Sequence, residues 1–147
     1  MKFHVFNVGK PKSAALSGLV EKYVRRINHT SPCDWVTVKA TDPQSAALEL
    51  KKRSGSGRII VLDEKGESPS SVTLARRFER WEGEGVREVS FWVGGAEGHA
   101  DQVRQNADWI WSLSPLTLQH DVALLVLVEQ IYRTEQIRLG TPYHRGD

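Results

Sequence analysis

The sequence contains little sulfur. Among its 147 residues there is one cysteine, Cys33, and one methionine. A single thiol excludes an internal disulfide and a cysteine-rich zinc site, so we expect Cys33 to be a partly buried free thiol in a reducing compartment. The fold must therefore be held by a hydrophobic core, which a chain of this length can supply.

Long apolar runs are also lacking. The longest one, at residues 122–128, is far shorter than the roughly 20 residues that a membrane-spanning helix needs. The first ten residues have neither the apolar segment nor the small-residue cleavage site of a signal peptide. These absences predict a soluble cytoplasmic protein with no membrane partner.

Several catalytic and metal-binding signatures are missing as well. None of the five histidines has the H-x-x-x-H or carboxylate-flanked spacing of a metal ligand, so we expect no metal. There is no Walker A loop and no G-x-S-x-G nucleophile elbow. The adjacent acids Asp63 and Glu64 could supply a general base, although such residues more often start a turn.

Charge is distributed unevenly along the chain. Residues 1–58 hold eleven Lys or Arg and four Asp or Glu, a balance of +7, whereas residues 59–147 hold nine and fourteen, a balance of −5. A basic half on a near-neutral protein can face a polyanion such as RNA or DNA. Solvated lysines on amphipathic helices are the alternative explanation.

Strand-like and helix-like segments alternate through the chain. Predicted strands cover residues 2–8, 33–40, 58–63, 87–93 and 109–114, and predicted helices cover residues 13–28, 43–53, 71–82, 101–107 and 121–139. This alternation predicts one domain, residues 1–147, with a three-layer and mostly parallel α/β sheet. Ligands of such sheets usually bind beyond the carboxyl ends of the strands.

Three loops follow predicted strands at that edge of the sheet: LDEKGE at 62–67, GGAEG at 94–98 and SPLTLQH at 114–120. The glycines permit a tight turn or a close approach of the backbone to a ligand. The pattern is not G-x-G-x-x-G and follows the fourth strand, so it does not indicate a Rossmann-type dinucleotide site. Taken alone, a structural turn explains it equally well.

Five segments together are more specific than any one loop. In chain order they are VLDEKGE at 61–67, FWVGGAEG at 91–98, SLSPLTLQH at 112–120, VEQIYR at 128–133 and PYHR at 142–145. In these segments, and in the turn VGKPK at 8–12, the chain resembles the RlmH-type methyltransferases of the SPOUT superfamily. The resemblance covers essentially the whole chain. It implies S-adenosylmethionine-dependent methylation of N3 of a pseudouridine in 23S rRNA, expected at position 1915, on assembled ribosomes.

The resemblance also implies a fold and a cofactor pocket. The family's parallel α/β sheet carries a C-terminal trefoil knot, the SPOUT α/β-knot, whose loops build the pocket. By resemblance, Leu62 lines the pocket and Gly94 lets the backbone approach S-adenosylmethionine. The residues expected around the adenine are Leu113, Ser114, Pro115, Leu116, Thr117 and Leu118. Aliphatic walls and main-chain hydrogen bonds suit a flat, partly apolar ring, while a buried loop with Pro115 fixing a turn is the alternative.

A homodimer is the expected assembly. By resemblance the helix at 121–139 is the dimer element, although burial of its apolar stripe inside one subunit is the competing explanation. In a dimer, the tail of one subunit would lie near the cofactor of the other. Tyr143, His144 and Arg145 are expected near the target nucleotide, with His144 as proton acceptor or substrate positioner and Arg145 gripping phosphate or stabilising charge on the ring. A frayed terminus with no role is the alternative.

One position departs from the family pattern. The family usually has an arginine four residues after the histidine that matches His120, and a proline before it, whereas this chain has Leu124 and Gln119. Loss of that cation puts substrate positioning in question, although Arg133 matches the family and could compensate. The alternative function is therefore a catalytically degenerate or substrate-shifted knotted RNA-binding dimer.

Overall fold

The computed structural model describes residues 1–146, which form an α/β structure around a five-stranded parallel sheet. The strands are β1 (Lys2–Val8), β2 (Cys33–Val38), β3 (Arg58–Glu67), β4 (Glu88–Val93) and β5 (Trp109–Trp111). The helices are α1 (Ala14–Asn28), α2 (Pro43–Ser54), α3 (Ser71–Gly83), α4 (Asp101–Gln105) and α5 (His120–Leu139). The strand order is β2-β1-β4-β3-β5, and every pairing is parallel. The predicted α/β fold is confirmed.

Helices cover both faces of the sheet, which gives the predicted three layers. Helices α1, α3 and α5 share one core with the sheet, to which Val20 and Leu127 belong. Helices α2 and α4 share the other core, which includes Leu50. Because successive side chains of a strand point to opposite faces, Phe3 enters the first core and Phe6 the second.

Polar side chains cap the helices where the sequence predicts them to begin. Ser13, Asp42 and Ser70 each accept a hydrogen bond from the backbone N–H three residues later, at 2.8–3.2 Å. Gln119 caps α5 in the same manner, accepting from two backbone N–H groups of the first turn. The helix therefore begins at His120, one residue earlier than predicted, and the residue that replaces the family's proline has a structural use.

The ends of two strands differ from the prediction. The sequence predicts that β3 ends at Asp63, but the strand continues to Glu67, which pairs with Trp111 after a shift of register. Gly66 permits this close pairing, because a Cβ there would lie 2.5 Å from the carbonyl oxygen of Ile110. Strand β5 ends at Trp111, three residues earlier than predicted. The other element ends agree within two residues.

Cys33 lies at the start of β2 in the core beneath α1, α3 and α5. Its side chain is 6% exposed and forms no disulfide. Burial, with a further contribution from Asp34, raises the pKa of the thiol to about 12. The thiol is therefore protonated at neutral pH and acts as a packing residue.

The parallel arrangement determines where a ligand can bind. Val8, Leu62 and Val93 stand at or near the carboxyl ends of neighbouring strands, so the loops that follow them meet at one edge of the sheet. The predicted site residues on β3 and after β4 and β5 are thereby brought together. Threading of the C-terminal segment into a trefoil knot stays a prediction of the family resemblance.

Candidate functional site

A cleft of about 430 Å³ opens at the carboxyl edge of the sheet. Its walls come from the second half of β3, from the segments after β4 and β5, from Arg104 of α4 and from the first turn of α5. Of the predicted cofactor-binding residues, those that line it are Leu62, Gly94, Leu113, Ser114, Leu116, Thr117 and Leu118. Pro115 is exposed and does not belong to the lining. The cleft has the size of a small-molecule site.

Aliphatic side chains form the inner wall of the cleft. Leu62 is 8% exposed and Val93 is 3% exposed, and both belong to the core as well as to the lining. Leu113 and Leu118 are half-buried, whereas Leu116 is 70% exposed. The inner part of the cleft is therefore apolar, whereas the apolar side chain of Leu116 is in contact with water.

The glycines of residues 94–98 allow their loop to pack closely. A Cβ on Gly94 would lie 3.0 Å from the carbonyl carbon of Gly98, and a Cβ on Gly95 would lie 3.2 Å from the carbonyl oxygen of Val8. Gly98 has a φ of 73°, in the left-handed region that favours glycine. The observed neighbours of these glycines are therefore their own loop and strand β1, while the approach of Gly94 to a cofactor stays a prediction.

Asp63 is an ion-paired residue of the cleft. Its carboxylate accepts hydrogen bonds from Arg104 Nε at 2.6 Å and from the backbone N–H of Lys65 at 2.9 Å. Burial opposes ionisation of Asp63, but these two hydrogen bonds outweigh burial and lower the pKa of the carboxyl. An ionised carboxylate held by an arginine is a poor proton acceptor, so its ion pair with Arg104 explains Asp63 better than general-base catalysis does, and β3 continues where a turn was the alternative.

His99 lines the cleft although the sequence analysis did not single it out. Its Nε2 lies 3.0 Å from the carbonyl oxygen of Trp92, which can only accept, so Nε2 carries the hydrogen. Burial lowers the pKa of the imidazole, although the bond to Trp92 and the charge of Asp63 oppose this. His99 is consequently neutral at neutral pH, and Nδ1 remains an acceptor. Its place one residue beyond the glycine loop is the sequence signal that could have found it.

Glu64 joins two walls of the cleft. The hydroxyl of Thr117 donates a hydrogen bond of 2.8 Å to its carboxylate, which ties the segment after Leu62 to the loop before α5. Both residues line the cleft. Glu64 thus helps to position the loop that carries Thr117, a role that the neighbouring sequence does not indicate.

The predicted catalytic residues follow α5, and Tyr143 packs against the second half of that helix. The Tyr143 hydroxyl donates to Glu129 Oε1 at 3.0 Å, and the Tyr143 ring lies 4.8 Å from the ring of Tyr132 and 4.8 Å from the guanidinium of Arg133. Burial raises the pKa of the Tyr143 hydroxyl, and its neighbours Tyr23 and Glu129 add to this. The hydroxyl is therefore protonated at neutral pH and donates a hydrogen bond to Glu129.

The tail and the cleft are separate within one chain. Tyr143, His144 and Arg145 do not line the cleft. Ala123 of α5 does line it, whereas Glu129, which holds the tail, is six residues further along the helix, or about 9 Å along its axis. The structure therefore gathers the predicted cofactor residues and the predicted catalytic residues into two groups, not one.

Leu124 is a core residue in this chain. It is 1% exposed and packs in the cluster that contains Leu127 and Val128. Arg133, which matches the family, forms a 2.7 Å ion pair with Glu129 and does not line the cleft. The cation that the family has at the position of Leu124 is thus replaced by apolar packing.

The described part of the chain shows neither a cluster of metal ligands nor a membrane-spanning helix. Within residues 1–146, no group of three or more His, Cys, Asp or Glu side chains could hold a metal ion. Over the same residues, no helix combines the length and the apolar character needed to cross a membrane.

The sequence matches one protein family over nearly its full length. A family model described as a predicted SPOUT methyltransferase matches residues 1–144. The ribosomal RNA large subunit methyltransferase H of Thermus thermophilus is 46% identical over 145 residues, which cover 99% of each chain. The protein of that name from Deinococcus radiodurans is 36% identical over 146 residues, which cover 99% of this chain and 100% of the other.

Solved structures share the fold at low sequence identity. A probable methylase family protein from Haemophilus influenzae has a TM-score of 0.62 at 9% identity, covering 96% of this chain and 69% of that chain. A probable methyltransferase from Bordetella pertussis has a TM-score of 0.57 at 13% identity, covering 90% and 95%. These likenesses support the α/β fold.

Proposed function

The chain belongs to the SPOUT methyltransferase family, and from this premise we propose that it transfers a methyl group from S-adenosylmethionine to large-subunit ribosomal RNA. The observation that carries the proposal is the 46% identity with the ribosomal RNA large subunit methyltransferase H of Thermus thermophilus over 99% of both chains. As a finer proposal, the acceptor is N3 of a pseudouridine in 23S rRNA.

The residues of the cleft fit the methyl donor. S-adenosylmethionine supplies an electrophilic methyl group on a sulfonium. Leu62, Leu113 and Leu118 offer the aliphatic surface that a flat adenine requires. The carboxylates of Glu64 and Glu97 add negative charge to the lining, which suits a cationic donor.

The residues of the tail fit the acceptor. Methylation forms an N3–C bond while an S–C bond breaks, S-adenosylhomocysteine leaves, and the proton of N3 must be removed. We assign His144 to accept that proton or to position the ring, because an imidazole nitrogen can accept a proton or form a hydrogen bond with the base. Arg145 stabilises negative charge on the ring or contacts a phosphate. Tyr143 fixes the turn that carries both residues through its bond to Glu129.

A homodimer would complete the site. In one chain the tail lies outside the cleft, so a second chain is the simplest source of a tail that reaches it. Leu116 beside α5, Val122 in its first turn and Leu19 on α1 are 70%, 36% and 43% exposed. Helices α1 and α5 pack against each other, and apolar side chains exposed on such a pair suit a partner surface.

The test of the activity is methyl transfer to ribosomes. Purified protein is incubated with labelled S-adenosylmethionine and ribosomes whose large-subunit rRNA lacks methylation, and the label is mapped by nuclease digestion and mass spectrometry. We expect label on N3 of one pseudouridine. Label on another nucleoside would mean a shifted substrate. Absence of label with measurable cofactor binding would favour the degenerate RNA-binding dimer that Leu124 leaves open.

Mixing of inactive subunits tests the shared site. Gly94→Trp should inactivate the cleft and His144→Ala the tail, so each variant alone is inactive. If one chain's tail serves the other's cleft, a mixed dimer holds one intact site, and equal mixing restores about a quarter of wild-type activity by random pairing. If each tail served its own cleft, mixing would restore nothing.

A further inference from the structure

The loop between β1 and α1 carries two lysines, Lys10 and Lys12, that form no ion pair in the described part of the chain. We infer that residues 9–13 form a phosphate-binding rim of the RNA surface, in which Lys10 and Lys12 contact the RNA backbone beside the cleft. The inference rests on the proposed function, since it names the residues of this chain that would hold the RNA substrate.

The loop lies next to the cleft. Strand β1 runs parallel to β4, so its end at Val8 reaches the same edge of the sheet as the glycine loop. The two segments touch closely, because a Cβ on Gly95 would lie 3.2 Å from the carbonyl oxygen of Val8. Residues 9–13 therefore follow a point that is in contact with the wall of the cleft.

A buried carboxylate fixes the path of the loop. Asp121 is 3% exposed, and its Oδ2 accepts hydrogen bonds from the backbone N–H groups of Lys12 at 2.8 Å and Ser13 at 3.1 Å. Asp121 follows His120, which lines the cleft. The loop is thus attached to the same turn of α5 that borders the cleft, which fixes the backbone of Lys12 relative to the cleft.

The charges of these lysines are available to a ligand. Lys10 and Lys12 are exposed, and over residues 1–146 neither has an ion pair. Arg58 and Arg104, by contrast, each lie near two carboxylates. An exposed ammonium without a carboxylate partner can bind a phosphate with no internal ion pair to break, and lysine is a common phosphate contact.

A matched pair of lysines lies at the other edge of the sheet. Lys51 and Lys52 are exposed, without an ion pair in the described part of the chain, and stand near the end of α2. That helix ends shortly before β3 begins, so the pair is at the amino edge of the sheet, opposite the cleft. The two pairs have the same chemistry and differ in position, which makes Lys51 and Lys52 the control.

The test compares Lys10→Gln/Lys12→Gln with Lys51→Gln/Lys52→Gln. Ribosome binding is measured by co-sedimentation over a series of salt concentrations, together with calorimetric affinity for S-adenosylmethionine and methyl transfer. For the first pair we expect roughly tenfold weaker ribosome binding and a salt slope smaller by about two, one for each lost phosphate contact. Cofactor affinity should be unchanged, and the control pair should match the wild type.

The outcomes separate this inference from the proposed function. Equal losses for both pairs, or no loss for the first pair, would overturn the rim while methylation by the wild type still supported the enzyme. A fall in cofactor affinity for the first pair would also overturn it, because the loop would then support the cleft. Wild-type protein that binds ribosomes through these lysines but does not methylate them would keep the rim and reject the enzyme. Wild-type protein that neither binds nor methylates ribosomes would reject both.

Discussion

The cleft and the tail are held in different ways along the same helix. Near the start of α5, the cleft is shaped by glycine backbone, aliphatic side chains and a neutral His99, with the carboxylate of Asp63 paired to Arg104. On the second half of α5, the tail is held by hydroxyl, carboxylate and guanidinium groups around Tyr143. The first region depends on shape and the second on a polar network.

Because of this difference, the cleft and the tail have different capacities when each is considered alone. A preformed apolar cleft can bind a small molecule without the tail. The tail presents groups for proton transfer and anion contact but forms no cavity with the cleft of its own chain. Substitutions in the cleft should therefore change cofactor affinity, whereas substitutions in the tail should change turnover.

The largest effect is expected in the cleft. Gly94→Trp should reduce affinity for S-adenosylmethionine below detection by calorimetry, because even a Cβ at this position meets the Gly98 backbone at 3.0 Å, and an indole would have to displace this loop, which lines the cleft. Gly94→Ala should weaken binding roughly 10- to 100-fold, since overpacking costs about 1–3 kcal/mol. Gly83→Trp, at a position with nothing within 4 Å of its Cβ, is the control. Unchanged affinity for Gly94→Trp would reject the cleft as the cofactor site.

The next effect belongs to the tail. His144→Ala should lower turnover by about 100-fold or more, as expected when a group that transfers a proton is removed, while cofactor affinity stays that of the wild type. The control is His29→Ala, which changes an exposed histidine near the end of α1. Equal losses of cofactor affinity and of rate would contradict the role of His144 and the separation of the two regions.

A smaller effect should follow from loosening the tail. Tyr143→Phe removes the hydroxyl that donates to Glu129 at 3.0 Å, a bond to a charged acceptor that is worth about 1.5–3 kcal/mol. Since Tyr143 acts through the position of His144, we expect turnover about tenfold lower, the pH profile unchanged in shape and cofactor affinity intact. Tyr132→Phe keeps the ring packing and removes a hydroxyl without a hydrogen bond in the described residues. Wild-type turnover in Tyr143→Phe would show that ring packing, not the Glu129 bond, holds the tail.

Much of the fold could be predicted from local pattern. The alternation of Lys2–Val8 and the caps Ser13, Asp42 and Ser70 locate elements by rules that act within a few residues. The extension of β3 to Glu67 could not be predicted this way. It depends on pairing with Trp111, far away in sequence, and on the absence of a side chain at Gly66.

Part of the candidate site could also be predicted from the sequence. The parallel order of the strands predicted the edge of the sheet at which a ligand binds, and the family resemblance named Leu62 and Gly94 there; seven of the eight predicted cofactor residues line one cleft. His99 and the Asp63–Arg104 pair were missed, since burial and long-range contacts, not spacing, give these residues their character. The separation of Tyr143 from the cleft likewise depends on how the chain returns along α5.

The smallest effect is a pH dependence of stability that belongs to the cleft alone. Burial lowers the pKa of His99 in the folded state below the value near 6.5 of an unfolded chain. Above that pH neither state binds the proton, whereas below it the unfolded chain takes up a proton that the folded chain refuses, so stability is lost as the pH falls. The groups that face His99 act against each other, since Asp63 favours the imidazolium and Arg104 opposes it. We expect Tm to fall by about a few degrees between pH 7 and pH 5, and His99→Gln to remove most of that slope while His29→Gln keeps it. A slope that survives in His99→Gln would show that a group other than His99 causes the pH dependence of stability.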